Sequence, residues 1–437
     1  MDVEGVKEYI LDYSGRELPA LIERSLKLDG TQKIKAIIGP RRAEKTCLMK
    51  QEMKKLLAEG VKREEMLYLN FEDTRISDIN YKEIREMVKI HWQLFPGSIN
   101  EKMYLFIDEP QNVRNWENAV RALHDEGFII YLSGSSSKLL SREIATALRG
   151  RSLSYKLLPF SFAEFLRGRN ASFDLERLSS RDKASLLGLF DEYAEYGGFP
   201  EVTSEKDPEN RIRILDDYLN LTVYKDVVER HRIKNIAVIK WLIKTFLTSY
   251  AREHSIHKTY LILKSRGLKT SKNTLYSYVS MLEDALFIFT VPKYATSERK
   301  RDFSINKTYL CDTGYAKLAG GTKDRGYRME NIVFLELERR KKPLQAITYW
   351  KNAQQEEVDF AIQEGQTTTA LIQVCENAAD EKTRHREVRA LLKAGKELNC
   401  KNLQIITADH EAEETANRRK IEYTPIWKWL LKNSQKK

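Results

Sequence analysis

The stretch from Lys33 to Met49 limits the fold of this chain more tightly than any other. A short apolar run, Ile34 to Ile38, enters a turn opened by Gly39 and Pro40. An amphipathic pattern leaves the turn, with Leu48, Met49, Met53, Leu56 and Leu57 at helical spacing. That is strand, loop, helix, and the unit recurs downstream. Strand-like runs at Met66 to Phe71, Lys102 to Asp108 and Phe128 to Ser133 alternate with helical patterns at Tyr81 to Leu94 and Trp116 to Glu126. Such alternation predicts an α/β fold with a parallel, helix-covered sheet.

The loop after Ile38 nearly spells G-x-x-x-x-G-K-[ST], in which backbone N–H groups cradle phosphates, the lysine meets the β/γ-phosphates and the hydroxyl ligates Mg²⁺. Gly39, Lys45 and Thr46 fit, whereas Glu44 stands where the second glycine belongs. A Cβ there obstructs close approach of the backbone, and a carboxylate repels phosphate. The candidate nucleotide-binding residues are Gly39, Pro40, Arg41, Arg42, Ala43, Glu44, Lys45, Thr46 and Cys47. The bland alternative is a Gly-Pro turn that happens to precede a basic helix.

Downstream, Leu105-Phe106-Ile107-Asp108-Glu109 reads as a buried strand ending in adjacent carboxylates. Open α/β sheets bind ligands at the carboxyl ends of their strands, so a Walker B role is expected here. Asp108 would hold Mg²⁺ together with Thr46, and Glu109 would orient and deprotonate the attacking water. The catalytic set is then Lys45, Asp108 and Glu109. The next strand ends in Ser133-Gly134-Ser135-Ser136, where Ser135 or Ser136 would sense the γ-phosphate or else simply cap a helix. Arg149 and Arg151 follow, either as phosphate-contacting arginines or as surface charge.

At 437 residues the chain is too long for one core, and its length suggests about three domains. A net charge of +11 admits an acidic partner, with nucleic acid first in line. No run is long enough to span a bilayer, so a cytoplasmic location without membrane contact is expected. Cys47, Cys311, Cys375 and Cys400 are scattered and form no C-x-x-C pair, which argues against a zinc site or a disulfide framework.

The order of Gly39-Pro40-Arg41-Arg42, Lys45-Thr46, Leu105 to Gln111, Ser133 to Leu140, Leu148 to Arg151, Leu158 to Leu166, Tyr196 to Glu201 and Tyr224 to Glu229 resembles the archaeal and bacterial AAA-type P-loop ATPases that carry an uncharacterised C-terminal domain. The resemblance implies ATP and Mg²⁺ as cofactors and places a P-loop domain at 1–158 and a helical lid at 159–232. Glu44 departs from that family's glycine and is expected to weaken the ATPase.

Residues 233–312 have the order of a winged helix-turn-helix. A short helix carries Ile256, Tyr260, Leu261 and Leu263, and Ser271 caps a second helix through Leu275, Val279 and Leu282. Lys272, Asn273, Tyr276 and Ser277 would face duplex DNA, with Arg299, Lys300 and Arg301 at the wing. A packing or protein-interaction role is the alternative. Residues 313–437 resemble the PD-(D/E)XK nuclease core, an α/β domain in which an Asp and a Glu or Gln hold a metal and a Lys positions water. Asp359 and Gln373 match the first two places, Cys375 occupies that of the lysine, and Glu330 or Glu336 would add a helix acid. A scaffold without cleavage is expected. Residues 1–30 read as an opening helix or two, with Leu18, Leu21, Ile22 and Leu26 on one face, and Arg418 to Lys437 as a basic amphipathic tail. The expected partners are ATP and either double-stranded DNA or a protein, with an oligomer allowed. The competing class is a non-hydrolysing binding module on a degenerate ATPase scaffold.

Overall fold

The computed structural model describes residues 1–77, 79–134, 148–297, 301, 304–320 and 325–432. It divides into two compact units, Met1–Leu158 and Pro159–Lys437.

The first unit is built on five strands, β1 (Ile34–Ile38), β2 (Met66–Asn70), β3 (Tyr104–Asp108), β4 (Ile129–Gly134) and β5 (Ser152–Lys156). Their order is β2-β3-β4-β1-β5, and every pair is parallel. The runs are almost continuously apolar because both faces are covered. Ile34, Ala36 and Ile38 share a cluster with Leu105, Ile107, Ile130 and Leu132. That cluster is closed by α1 (Val3–Gly15), α3 (Tyr81–Leu94) and α4 (Trp116–Asp125). The alternate residues Ile37, Tyr68, Phe106 and Tyr131 pack with Leu48, Met49 and Met53 of α2 (Lys45–Ala58). Edge strand β5 escaped prediction, since Ser152-Leu153-Ser154-Tyr155-Lys156 is too polar to resemble a buried run.

Of the opening helix or two expected within residues 1–30, one forms as α1, while residues 16–33, with Leu18, Leu21, Ile22 and Leu26, have no regular helix or strand. Pro19 disfavours αR backbone at Leu18 and lacks an N–H. The segment instead lies along α2, where its backbone meets side chains: Lys54 donates to the Pro19 carbonyl and Gln51 exchanges bonds with the main chain of Arg24.

The second unit opens with helices α5 (Phe162–Gly168), α6 (Ser180–Tyr196), α7 (Pro200–Ser204) and α8 (Pro208–Leu221), the last running on into a wider π-helical stretch over Thr222–Glu229. Ser161 and Glu164 form a capping box at α5, which explains the Ser161-Phe162-Ala163-Glu164 pattern. Next come α9 (Ile236–Thr248), β6 (Arg252–His254), α10 (Ile256–Ser265), α11 (Lys272–Asp284), β7 (Ile288–Val291) and β8 (Asn306–Leu310). The three strands form an antiparallel sheet in the order β6-β8-β7.

The chain continues through α12 (Gly314–Lys317), α13 (Arg325–Arg340), β9 (Gln345–Lys351), β10 (Glu357–Glu364), β11 (Thr367–Cys375), α14 (Glu381–Glu397), β12 (Leu403–Thr407), β13 (Ala412–Ala416), β14 (Arg419–Pro425) and α15 (Ile426–Leu431). Six of these strands make a mixed sheet in the order β13-β14-β12-β11-β10-β9. The basic tail expected from Arg418 is therefore folded as far as Lys432. Ile421 and Tyr423 enter the core, and Ile426, Trp427, Trp429, Leu430 and Leu431 are buried. The apolar residues between those lysines are a buried strand and helix, which a count of charge obscures.

Gly197 and Gly198 explain another block of the sequence. Gly197 has φ +79°, and a Cβ on it would lie 1.6 Å from Asp312 Oδ1. The Asp312 carboxyl is fully buried and accepts the Gly198 and Gly314 N–H groups at 2.7 and 2.8 Å. These two bonds join α6 to the start of α12.

Candidate nucleotide site and a second charged cleft

In the first unit the loop between β1 and α2 brings Gly39, Lys45, Thr46 and Asp108 together. Gly39 admits no side chain, because a Cβ would lie 2.1 Å from the Leu157 carbonyl oxygen. Arg42 and Glu44 both adopt left-handed backbone, with φ 63° and 62°. Glu44 thus holds the conformation that glycine takes at no steric cost, a strain of roughly 1–2 kcal/mol for a residue with a Cβ. It immediately precedes α2, and its side chain forms no cap for that helix.

Lys45 is buried and its Nζ donates to the carbonyls of Gly39 and Pro40 at 3.1 and 3.0 Å. Thr46 Oγ1 donates to Asp108 Oδ2 at 2.6 Å. Tyr68 reaches the same carboxylate oxygen at 3.0 Å, and Ser133 donates to the other. Burial, then the charge of Asp108, pushes the Tyr68 phenol far above its ordinary range, so it remains a donor. Glu109 follows with φ 51°, and its side chain is bonded by Gln111. Burial raises the Glu109 pKa above the usual carboxylate value, and Lys45 opposes the shift.

Of the remaining sequence candidates, Ala43 is buried, while Pro40, Arg41 and Cys47 lie in or beside the loop. Burial raises the Cys47 thiol pKa, which favours the neutral form. Ser135 and Ser136, as well as Arg299 and Lys300, lie outside the described residues. Arg151 is held in a two-pronged ion pair with Asp125 at 2.8 and 3.0 Å, a role in surface charge. One residue that sequence reasoning missed is Arg24. It is buried and clamps the loop from behind, donating to the carbonyls of Ala43 at 2.7 Å and Leu158 at 2.6 Å. No motif surrounds it, so nothing in the sequence marked it.

The second unit contains a cleft of about 740 Å³ between β10, β11, α13 and α14. Asp359 and Gln373 meet there, as the nuclease likeness requires: the Asp359 N–H donates to Gln373 Oε1 at 3.2 Å, and Val374 N–H to Asp359 Oδ2 at 3.0 Å. Glu330 is the helix acid that faces the cleft. Glu336 is instead bound by Arg340 at 2.7 Å and Arg339 at 3.4 Å. Cys375 lines the cleft with its thiol pushed up to about 11 by burial, so it supplies no charge.

A lysine is present nonetheless. Lys307 arrives from β8, its Nζ 2.8 Å from Glu330 Oε1, 2.9 Å from Asp359 Oδ1 and 2.6 Å from Glu357 Oε1. Tyr309 also donates to Glu330 at 2.7 Å. Burial and the neighbouring Asp359 push Glu330 up to about 8. Sequence reasoning looked for this lysine on β11 and could not anticipate one from another sheet.

On the helical pair of the second unit, Lys272, Asn273, Tyr276 and Ser277 are exposed on α11, as expected. Leu261 is 50% exposed and Ile262 42%, because Ile256, Thr259 and Leu263 take the inner face of α10. From Arg230 to Leu282 the chain has eleven Lys or Arg against one acid, Glu253, a net of +10 in a chain whose total is +11.

An all-parallel sheet with a lysine-bearing loop after β1 and paired carboxylates after β3 defines an AAA-type P-loop ATPase scaffold. Residues 31–166 match the family described as "AAA domain", and two domains of unknown function, DUF8612 and DUF4143, match 187–325 and 325–429. The uncharacterized protein MJ1544 of Methanocaldococcus jannaschii is 39% identical over 406 residues, 91% of this chain and 88% of its own. The chain belongs to the same family of AAA-domain proteins. An uncharacterized protein of Haemophilus influenzae is 32% identical across 73% of this chain and 78% of its own. Among solved structures, the Walker-type ATPase PABY2304 of Pyrococcus abyssi aligns at 14% identity and a TM-score of 0.42, covering 73% of this chain and 95% of that one. No described helix is long and apolar enough to cross a membrane.

Proposed function

We propose that this chain binds ATP with Mg²⁺ in the loop Gly39 to Cys47, hydrolyses it weakly, and uses nucleotide state to govern a nucleic-acid-binding module at 233–312. The observation that carries the reading is the Thr46 hydroxyl bonded 2.6 Å from Asp108, beside a loop whose Gly39 tolerates no side chain. Lys45 would exchange its carbonyl partners for β/γ-phosphate oxygens. Thr46 and Asp108 would hold Mg²⁺, which when bound neutralises charge on the transferred phosphoryl group. Glu109 would orient water and accept its proton, a task suited to a carboxylate whose pKa burial raises. Ser135 is the proposed γ-phosphate sensor. Residues 159–232 would act as the helical lid and 313–437 as a nuclease-like domain that does not cut, since its acids Glu330 and Asp359 are already taken up by Lys307.

The module's partner is argued from charge. Helix–strand–helix–helix–strand–strand with a β6-β8-β7 sheet supports the winged-helix reading, and the net +8 of residues 233–312, fourteen Lys or Arg against six Asp or Glu, favours duplex phosphates over a neutral protein face. Salt-sensitive duplex binding that weakens on Arg299→Ala/Arg301→Ala is the expected result. Unchanged affinity removes the wing from the interface.

Thermal unfolding with and without Mg-ATP tests the nucleotide reading. Ligand at 100 times its Kd stabilises by about 2.7 kcal/mol. A shift lost in Lys45→Ala supports it. No shift in either the natural protein or Glu44→Gly leaves the non-hydrolysing binding module as the reading.

A further inference from the structure

The nuclease likeness implies a divalent ion held by Glu330, Asp359 and Gln373, and the side chains present do not fit one. Lys307 Nζ occupies the point where Glu330 and Asp359, two of those three groups, converge. Its three distances to Glu330, Asp359 and Glu357, from 2.6 to 2.9 Å, are those of ammonium–carboxylate hydrogen bonds. Mg²⁺ requires oxygens at about 2.0–2.1 Å. An ammonium has three N–H donors, and this one meets three carboxylates. The Gln373 amide oxygen, the remaining expected ligand, is engaged by the Asp359 N–H. Among the described residues no three His, Cys, Asp or Glu side chains are arranged to hold a metal.

We propose that Lys307 is the built-in cation of this cleft, standing in the place of the divalent ion, so that the C-terminal sheet is a metal-independent domain braced by a side chain from β8. The brace has a defined direction. Lys307 belongs to the three-stranded sheet, whereas Glu330 is on α13 and Glu357 and Asp359 are on β10, so one ammonium ties three elements together. The rest of the cleft is consistent with this. Its lining carries seven Asp or Glu against five Lys or Arg, an unfavourable surface for the phosphates of a nuclease substrate. The proposal stands on the cleft alone and is independent of whether the first unit binds nucleotide.

The test is Mn²⁺ binding by the full chain without nucleotide, read as the loss of the free-ion signal in electron paramagnetic resonance. The natural protein and Asp359→Asn are expected to bind equally. Lys307→Ala empties the acid cluster and is expected to gain one Mn²⁺ site per chain, which the added Asp359→Asn removes. A site in the natural protein that disappears on Asp359→Asn overturns the proposal, as does Mn²⁺-dependent DNA cleavage lost in that variant. A folded Lys307→Ala protein that gains no site overturns it as well. The first comparison needs no substitution at Lys307, so it decides the matter even if Lys307→Ala does not fold.

Discussion

Lys45 and Lys307 are both buried beside carboxylates, yet the two regions put the same ingredients to opposite use. In the first unit Lys45 donates to two main-chain carbonyls, while Asp108 is bonded by the hydroxyls of Thr46, Tyr68 and Ser133. These are neutral partners of the acid, and an incoming cation can replace them without stranding a buried charge. In the second unit Lys307 is bonded directly to the carboxyl groups of Glu330, Glu357 and Asp359, so one ammonium already sits on all three. A lysine and a pair of acids therefore do not make a site. What separates the two is whether the protein's own cation already sits on the acid that would hold a metal ion: Lys307 sits on Asp359, whereas Asp108 is met by hydroxyls in its stead.

The strongest way to break this contrast is to remove each lysine in turn. Lys307→Met leaves three buried carboxylates without their cation and is expected to cost about 3–5 kcal/mol of stability. Lys45→Met loses two carbonyl bonds and its attraction for Glu109, and is expected to cost less than Lys307→Met, about 1–3 kcal/mol. Urea unfolding of both variants measures the difference, and equal losses would dissolve the distinction.

His254 sharpens it from the basic side. Its ring lies against Phe246, and burial lowers its pKa from 6.5 to about 4. A folded-state pKa below the unfolded one means the neutral ring contributes stability that is fully present above pH 6.5 and is lost as pH falls through about 4. The expected loss is about 2–3 kcal/mol across that window, by denaturant unfolding. His254→Phe should flatten it. An unaltered pH profile would mean that this interior tolerates an unpaired charge.

Smaller effects are expected at the open site. Lys45→Ala removes a charged donor to phosphate, worth about 1.5–3 kcal/mol, or roughly ten- to a hundredfold in ATP affinity by titration. Glu44→Gly should act in the other direction. Relief of the left-handed backbone and of the carboxylate's repulsion is expected to tighten ATP binding about tenfold and to raise turnover. Equal hydrolysis by both forms would show that the loop tolerates glutamate.

How much of this was legible in the sequence depended on range. The strands around Phe106 and Ile130 could be read because their burial is continuous and local, and the phosphate loop could be read because its signature fits within eight residues. Leu18 to Leu26 misled, since apolar spacing suggested a helix that Pro19 disfavours. Lys307 could not be found, because it meets Asp359 across 52 residues and belongs to another sheet. Arg24 was hidden for the same reason: the carbonyls it holds, of Ala43 and Leu158, come from distant parts of the chain. Contacts that close a site from far along the chain leave no periodicity to detect.

The Lys307 cluster also restricts the mutational paths open to this family. A change at Lys307 alone strands three acids, whereas loss of Asp359 or Glu330 alone leaves the ammonium two other carboxyl partners. Loss of the lysine is penalised by several kcal/mol, against a total stability of about 5–15 kcal/mol for a typical domain. Loss of the lysine is therefore tolerated only in concert with changes at the acids. Homologous chains that depart from lysine at this position are expected to have lost or replaced the acids as well, a covariation that a family alignment can reveal without any biochemical assay.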